Sequence, residues 1–290
     1  SVAAVFMIVL FSVLFTRENR PPESSVVNDV PVAGKTQAVL SLPDGRQVAL
    51  GNEKEQDTAW MKYVEACTIE SKATTEPADI KIEVARGGEY KIRLEDGTTV
   101  WLNSESSLIY PEKFTGDKRA VRLSGEGYFE VARDEKKPFI VSVTDMEIKV
   151  LGTKFNVTAY QDEKMTTTTL ISGAVEVVTP HRSVQLQPGK QAMVQEGGDD
   201  ITVLEVDVEL ATSWTAGIFK FDKMALTDIC TRLSRWYDID FVFEGETGKE
   251  KFTGGTWKYV PLKDFLSKIE RVTNVLFLFE NNTVKVVPKK

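Results

Sequence analysis

From Lys35 to about Glu205 apolar and polar residues alternate in short runs separated by Gly, Pro or Asp. The runs Arg119 to Val131, Phe139 to Val143, Glu147 to Val150, Lys154 to Tyr160, Thr166 to Ile171, Ala174 to Val178, Val184 to Leu186 and Gln191 to Gln195 are rich in Val, Ile, Thr, Phe and Tyr. Period two with β-branched and aromatic enrichment predicts half-buried strands, and turn pairs such as Pro188-Gly189 punctuate them. A sheet stack or a solenoid-like β architecture is the packing that so many short strands favour. The chain also repeats itself: LPDGRQVAL at Leu42 to Leu50 and LEDGTTVWL at Leu94 to Leu102 share Leu, Asp-Gly, Val and Leu at equal offsets. Asp-Gly between alternating apolar residues predicts a β-hairpin in both places, because glycine takes positive φ without a Cβ clash. Glu53 to Lys72 fits either a helix or a wide hairpin.

After Trp214 the period changes. Leu226, Ile229, Leu233 and Trp236 recur at helical spacing, and so do Leu262, Phe265, Leu266, Ile269 and Val272. Thr227-Asp228 and Pro261 suit the two helix starts. With the strand-like IDFVFEG, the run FTGGTW and a closing hairpin VLFLFENNTVKVV turning at Asn281-Asn282, residues from Ile218 read β-α-β-β-α-β-β, a small α+β domain. The expected layout is therefore mainly β: an all-β domain over 35–212 and an α+β domain over 213–290.

Ahead of these domains the sequence SVAAVFMIVLFSVLFT is apolar except for Ser12, then turns polar at Arg17. Residues 1–16, with Val2, Phe6, Ile8, Leu10, Phe11, Leu14 and Phe15, are expected to form an uncleaved transmembrane anchor whose apolar run continues upstream of Ser1. A signal peptide fits less well, since neither a basic leading region nor a small-residue cleavage site is present. Residues 17–34, with Pro21-Pro22, read as an extended linker off the membrane.

Composition narrows the function. At 290 residues, 42% hydrophobic and 27% charged, the chain can fill two cores. A net charge of -7 with scattered Lys and Arg leaves no basic footprint for a nucleic acid. Cys67 and Cys230 stand far apart with no metal-ligand spacing, and pair only if the fold joins them. His181 follows Pro180 in a polar turn and reads as a solvated loop residue.

Candidate chemistry is thin. In LSGEGYFEV, Leu123 to Val131, the two glycines suggest a phosphate loop, but the alternating residues that follow open no helix. Glu126 and Glu130 would share a strand face, as a glycosidase pair requires, yet no partner acid or stacking groove accompanies them. Gly125 and Gly127 fit a bulge or a close backbone contact better. Asp199-Asp200 lacks the spaced ligand series of a calcium loop. Asn156-Val157-Thr158 and Asn281-Asn282-Thr283 are glycosylation triplets. Trp101 and Trp236 lie in apolar patterns and are expected in cores, whereas Trp257 and Tyr259 are the aromatics expected to be exposed. No catalytic, cofactor-binding or metal-ligating residue is assigned.

LEDGTTVWLNSESSLIYPEKF, RAVRLSGEGYFEVARDEKKPFIV, VLGTKFNVTAY and TTTTLISGAVEV together resemble the FecR family of membrane-anchored sigma-factor regulators, in the form common among Bacteroidetes. FKFDKMALTDICTRLSRWYDIDFVFEG resembles the small domain that follows FecR domains, and its layout is similar to the secretin and TonB short N-terminal domain. The resemblance implies a single-pass inner-membrane anti-sigma factor, not an enzyme, whose folded part lies in the periplasm. It implies two partners: the signalling domain of a TonB-dependent outer-membrane transporter, and a sigma factor held by a cytoplasmic segment that this sequence does not contain. The transporter would be met by strand addition at a sheet edge of the α+β domain, with Phe221, Trp257 and Tyr259 as partner-binding candidates. The alternative is a periplasmic glycan-binding module without a signalling role.

Overall fold

A computed structural model describes residues 32–43, 45–51, 79–144 and 146–289. The expected anchor with Val2, Phe6, Ile8, Leu10, Phe11, Leu14 and Phe15, most of the linker, the ambiguous piece Glu53 to Lys72, and Cys67 lie outside the described residues. Among the described residues no helix is long and apolar enough to cross a membrane.

The chain is mainly β. Sixteen strands come first: β1 (Lys35–Thr36), β2 (Ala38–Ser41), β3 (Gln47–Leu50), β4 (Asp79–Val84), β5 (Gly88–Arg93), β6 (Thr99–Leu102), β7 (Ser106–Pro111), β8 (Arg119–Glu130), β9 (Phe139–Ser142), β10 (Glu147–Val150), β11 (Lys154–Ala159), β12 (Met165–Ser172), β13 (Val175–Val178), β14 (Ser183–Leu186), β15 (Lys190–Gln195) and β16 (Ile201–Glu205). They form two layers. One runs β3-β2-β4-β7-β8-β9-β10-β13-β14, the other β1-β5-β6-β8-β11-β12-β15-β16, and all pairs are antiparallel except β8 with β9 and β1 with β5.

β8 belongs to both layers. Its first half, through Ser124, pairs with β7 and β9, and its second half, from Gly125, pairs with β6 and β11. The crossing is made at Gly125, where φ is +90° and a Cβ would stand 2.4 Å from Ser106 Oγ. Only glycine fits that conformation and that gap. The LSGEGYFEV stretch is therefore a bend shared by two sheets. Inward residues of both layers, such as Ile82, Leu108, Val121 and Ile148 against Val100, Phe129, Phe155 and Leu170, merge into one core. Phe129 and Phe155 stack with centroids 5.1 Å apart.

The internal repeat is a repeated turn. Gly45 N–H donates to Leu42 O and Leu42 N–H to Arg46 O; Gly97 and Leu94 repeat the pattern with Leu94 and Thr98. Both glycines sit at φ +86°. Asp96 of the second copy accepts from Thr98 N–H and from the buried Arg119 guanidinium at 2.7 Å, so this turn also anchors the start of β8.

A short helix α1 (Val208–Thr212) and a 3-10 turn (Ser213–Ala216) lead to the second unit. It contains β17 (Ile218–Ala225), α2 (Leu226–Tyr237), β18 (Asp240–Phe243), β19 (Lys251–Trp257), α3 (Leu262–Val272), β20 (Val275–Glu280) and β21 (Thr283–Pro288). β17 pairs with β19, and β21 lies between β18 and β20. The helices supply Ile229, Leu233, Trp236, Phe265, Leu266 and Ile269 to a second core, shared with Phe219, Phe221, Val275, Val284 and Val286. Cys230 is buried there, and burial pushes its thiol far above the ordinary range.

Candidate functional site at the joint between the two domains

The two cores meet along a charged joint that begins at the turn between β4 and β5. Helix α2 ends at Asp238, in the left-handed region at φ +48°, and presents its last carbonyls toward that turn. Such an end carries partial negative charge and accepts cations. Arg86 answers it: Nη2 donates to Ser234 O at 3.1 Å and Ile239 O at 2.7 Å, and Nη1 to Asp240 at 2.8 Å. Next to it, Gly87 N–H donates to Arg235 O at 2.7 Å.

Arg235 reaches back from the same helix end. Its guanidinium donates to both carboxylate oxygens of Asp162 at 2.6 and 2.8 Å and to Glu163 at 2.6 Å, with Glu105 at 3.3 Å from Nε. It also lies 3.7 Å over the Tyr160 ring, whose hydroxyl donates to Ser104 O. The planar fork suits this bidentate, stacked setting in a way a lysine does not.

A second cation closes the other side. Lys258 is 0% exposed; its ammonium donates to Glu89 at 2.7 Å and sits 3.7 Å over the Trp236 ring. Tyr259 O–H donates to the other oxygen of Glu89 at 3.0 Å, and Trp236 and Tyr237 both donate to Lys258 O. Between the two cations, Trp214 Nε1 donates to Asn156 Oδ1, while Asn156 Nδ2 donates to Glu126. Asn103 and Thr158 also donate to Glu126. Glu126, Tyr160, Trp214, Lys220, Arg232 and Arg235 help line a cavity of about 50 Å³, room for water but not for a substrate.

The N-terminal end of the described chain is gripped by both domains. Ala33 packs on the second core, and a Cβ on Gly34 would stand 2.6 Å from the Trp236 ring. Immediately after, Lys35 and Gln37 donate their N–H groups to Gly87 O and Glu89 O, and β1 pairs parallel with β5. Residues 32–37 thus form a strap across the joint.

Two comparisons meet this architecture. Residues 80–176 match the family described as FecR protein, and residues 218–286 match FecR, C-terminal. A crystal structure at 1.65 Å resolution of a candidate anti-sigma factor from Parabacteroides distasonis ATCC 8503 is 30% identical, with a TM-score of 0.67 over 72% of this chain and 99% of that one. The chain belongs to the FecR family. A second structure of a candidate anti-sigma factor from that organism, at 2.50 Å resolution, is also 30% identical, with a TM-score of 0.68 over 73% of this chain and 100% of that one. Among the curated proteins nothing matches.

The FecR fold distributes the sequence-predicted residues unevenly. Trp257 and Tyr259 are 52% and 48% exposed, as an outward reading requires, although the Tyr259 hydroxyl is committed to Glu89. Phe221 is 4% exposed, between Phe219 and Phe265, so its ring belongs to the core and is not presented to a partner. Trp236 is buried, but Trp101 points away from the core, since its neighbours Val100 and Leu102 take the inward positions of β6. It is capped on one face by Lys91 Nζ at 4.4 Å and meets Tyr128 in an edge-to-face contact at 5.3 Å. Asn156 is 2% exposed, closing one glycosylation triplet. Glu126 and Glu130 do face the same side, yet Glu126 is held by three side-chain donors and Glu130 by Lys154 at 2.8 Å, so they do not converge on a cleft. No local pattern marks Arg86, Glu89, Arg235 and Lys258 as joint residues; the one sequence signal is a lysine set between the two aromatics Trp257 and Tyr259.

The joint should respond to alkaline pH. Burial lowers the Lys258 ammonium from its ordinary value, against the pull of Glu89. Burial raises the hydroxyls of Tyr160 and Tyr237, and that of Tyr259 to about 12. A raised tyrosine holds its proton more tightly folded than unfolded, so its contribution is complete below about pH 10 and is lost as pH climbs past that point. Lys258 has the opposite sign: the unfolded chain binds its proton more tightly, and stability rises with pH up to about 10.5. Thermal melts should therefore fall above pH 10, and between about pH 10 and 10.5 they should fall more steeply in Lys258→Met, which deletes the opposing contribution. Equal slopes across that interval would show that the folded chain holds the Lys258 proton as tightly as the unfolded chain does.

Proposed function

We propose that this FecR-family chain is the periplasmic sensor part of an inner-membrane anti-sigma factor, relaying the state of a TonB-dependent outer-membrane transporter to an extracytoplasmic-function sigma factor. The C-terminal domain, read as a counterpart of the short N-terminal domain of secretins and TonB-dependent proteins, would receive the transporter's signalling domain. The upstream apolar segment would cross the membrane and a cytoplasmic segment would hold the sigma factor.

One observation carries this reading: the strap at residues 32–37 is held by both domains at once, at the point where the chain runs toward its apolar N-terminus. Anything that shifts the C-terminal domain on the joint acts on the strap, and so on the chain leading to the membrane. A message of that kind needs only differential contact between two arrangements of the joint, and no bond is made or broken.

The test is calorimetric titration of the chain with purified signalling domains of the TonB-dependent transporters encoded near it. One of them should bind, and deleting that domain in cells should silence the sigma factor's reporter. Failure of every such domain to bind removes the reading.

A further inference from the structure

The contacts that hold the strap divide between the two domains. Val32 is 84% exposed, so the grip begins at Ala33, which packs on the second core, and at Gly34, which lies against Trp236. The hydrogen bonds that follow go to the first domain. Lys35 N–H donates to Gly87 O and Gln37 N–H to Glu89 O, both at 3.0 Å, and Gln37 Nε2 adds a bond to Gly87 O at 3.3 Å. Beyond Gln37 the chain enters β2, where Ala38 and Leu40 are buried in the first core. The downstream end of the strap is therefore fixed for as long as that core is folded.

The first-domain anchors also hold the C-terminal domain. Gly87 meets the strap with its C=O and α2 with its N–H, which donates to Arg235 O at 2.7 Å. Glu89 meets the strap with its main-chain oxygen, and Lys258 and Tyr259 with its carboxylate. The two attachments thus share their footing. If the C-terminal domain lifts away, Ala33 and Gly34 lose the surface they rest on, and what remains is pairing over the two residues of β1. So short a pairing orders the chain for few contacts and opens readily.

Gly34 sets the fit. Its φ is not in the left-handed region, so space and not backbone conformation demands glycine there. A Cβ would stand 2.6, 2.7 and 2.8 Å from Cε3, Cζ3 and Cδ2 of Trp236, three neighbouring ring atoms. The indole cannot give way: it is 1% exposed, its Nε1 donates to Lys258 O at 2.7 Å, and the Lys258 ammonium lies 3.7 Å from the ring centre. Any side chain at position 34 must lift the strap or displace α2.

We propose that residues 33–37 are a latch, closed only while the C-terminal domain is docked, with Gly34 on the Trp236 ring as its catch. The coupling is reciprocal. Undocking frees the strap, and freeing the strap loosens the docking by the same factor. The latch supplies the regulation of the sensor described above and rests on that reading for its role, while its closure is a property of the chain alone.

The test is native-state amide hydrogen exchange on the full chain in detergent micelles. In the wild type the amides of Lys35, Gln37 and Gly87 should exchange with one urea dependence, as a single opening, ahead of the amides of β8. Arg235→Ala removes a side chain that bonds Asp162 and Glu163 and no strap residue, yet it should speed exchange at Lys35 and Gln37 about tenfold. Gly34→Leu, and to a lesser degree Gly34→Ala, should speed exchange at Gly87. In the double variant of Gly34→Leu with Arg235→Ala, the effect should fall well short of the product of the two. Gly45→Ala, whose Cβ meets nothing within 4 Å, should leave all three amides unchanged. Strap amides that keep their protection in Arg235→Ala, or effects that multiply in full, overturn the latch and leave the sensor reading to its own titration. A latch that couples as stated while no signalling domain binds removes the sensor reading, and with it the latch's role but not its coupling.

Discussion

Arg235→Ala should loosen the C-terminal domain from the rest of the chain while leaving both cores folded. The substitution removes a nearly buried guanidinium that satisfies Asp162 and Glu163 and lies against Glu105 and Tyr160. Stripping the cation from a buried ionic cluster typically costs about 3–5 kcal/mol, because the remaining charges lose their partner in a place water reaches poorly. Here the cost falls below that range, at about 2–3 kcal/mol, since the Asp162 and Glu105 side chains are 65% and 50% exposed and rehydrate readily. Urea unfolding followed through tryptophan emission reports on the joint directly, because Trp214 and Trp236 both lie in it. The variant should show an added early transition. Arg235→Lys should recover only part of the loss, for want of the bidentate fork. A single transition at the wild-type midpoint would show that the cluster does not hold the domains together.

Gly125→Val should be the more damaging change, and for a different reason. The new side chain must take φ near +90° and place its Cβ 2.4 Å from Ser106 Oγ and 2.7 Å from Ser106 Cα. Backbone strain of about 1–3 kcal/mol and overpacking of about 1–3 kcal/mol add, since neither the conformation nor the main chain of β7 can yield. The expected loss is about 4 kcal/mol, a large share of a domain's stability. Gly45→Ala is the control: φ is similar at +86°, but nothing lies within 4 Å of its Cβ, so only the strain of about 1–2 kcal/mol remains. If the two variants melt alike, the crossing of β8 between layers is not a packed constraint.

The parts of the fold that local pattern decides were readable in advance. Strands such as Glu147–Val150 alternate cleanly, and the turns closed by Gly45 and Gly97 appear where the repeat places them. In the second unit, helical spacing and the Asn281-Asn282 turn give the observed element order. What the pattern withholds is how strands associate. Nothing local says that β8 serves two layers, that β9 joins it in parallel, or that Asp79–Val84 lies beside Ser106–Pro111. The same blindness covers the joint. Nothing local marks Arg235 for burial until the other domain brings Asp162 and Glu163 to it, and Phe221, a partner-binding candidate by sequence, is covered by Phe265. Trp101 departs from its expected core position because a period of two marks which residues share a face without saying which face is inward.

The strap has a mechanical corollary. While held, residues 32–37 lie along the folded body and add nothing to the reach of the chain that precedes them. If the joint lets go, those six residues pay out as free leash, extending the reach by about 20 Å. A shift of a few hydrogen bonds at Gly87 and Glu89 is thereby geared up into a change of distance several times larger than the shift itself.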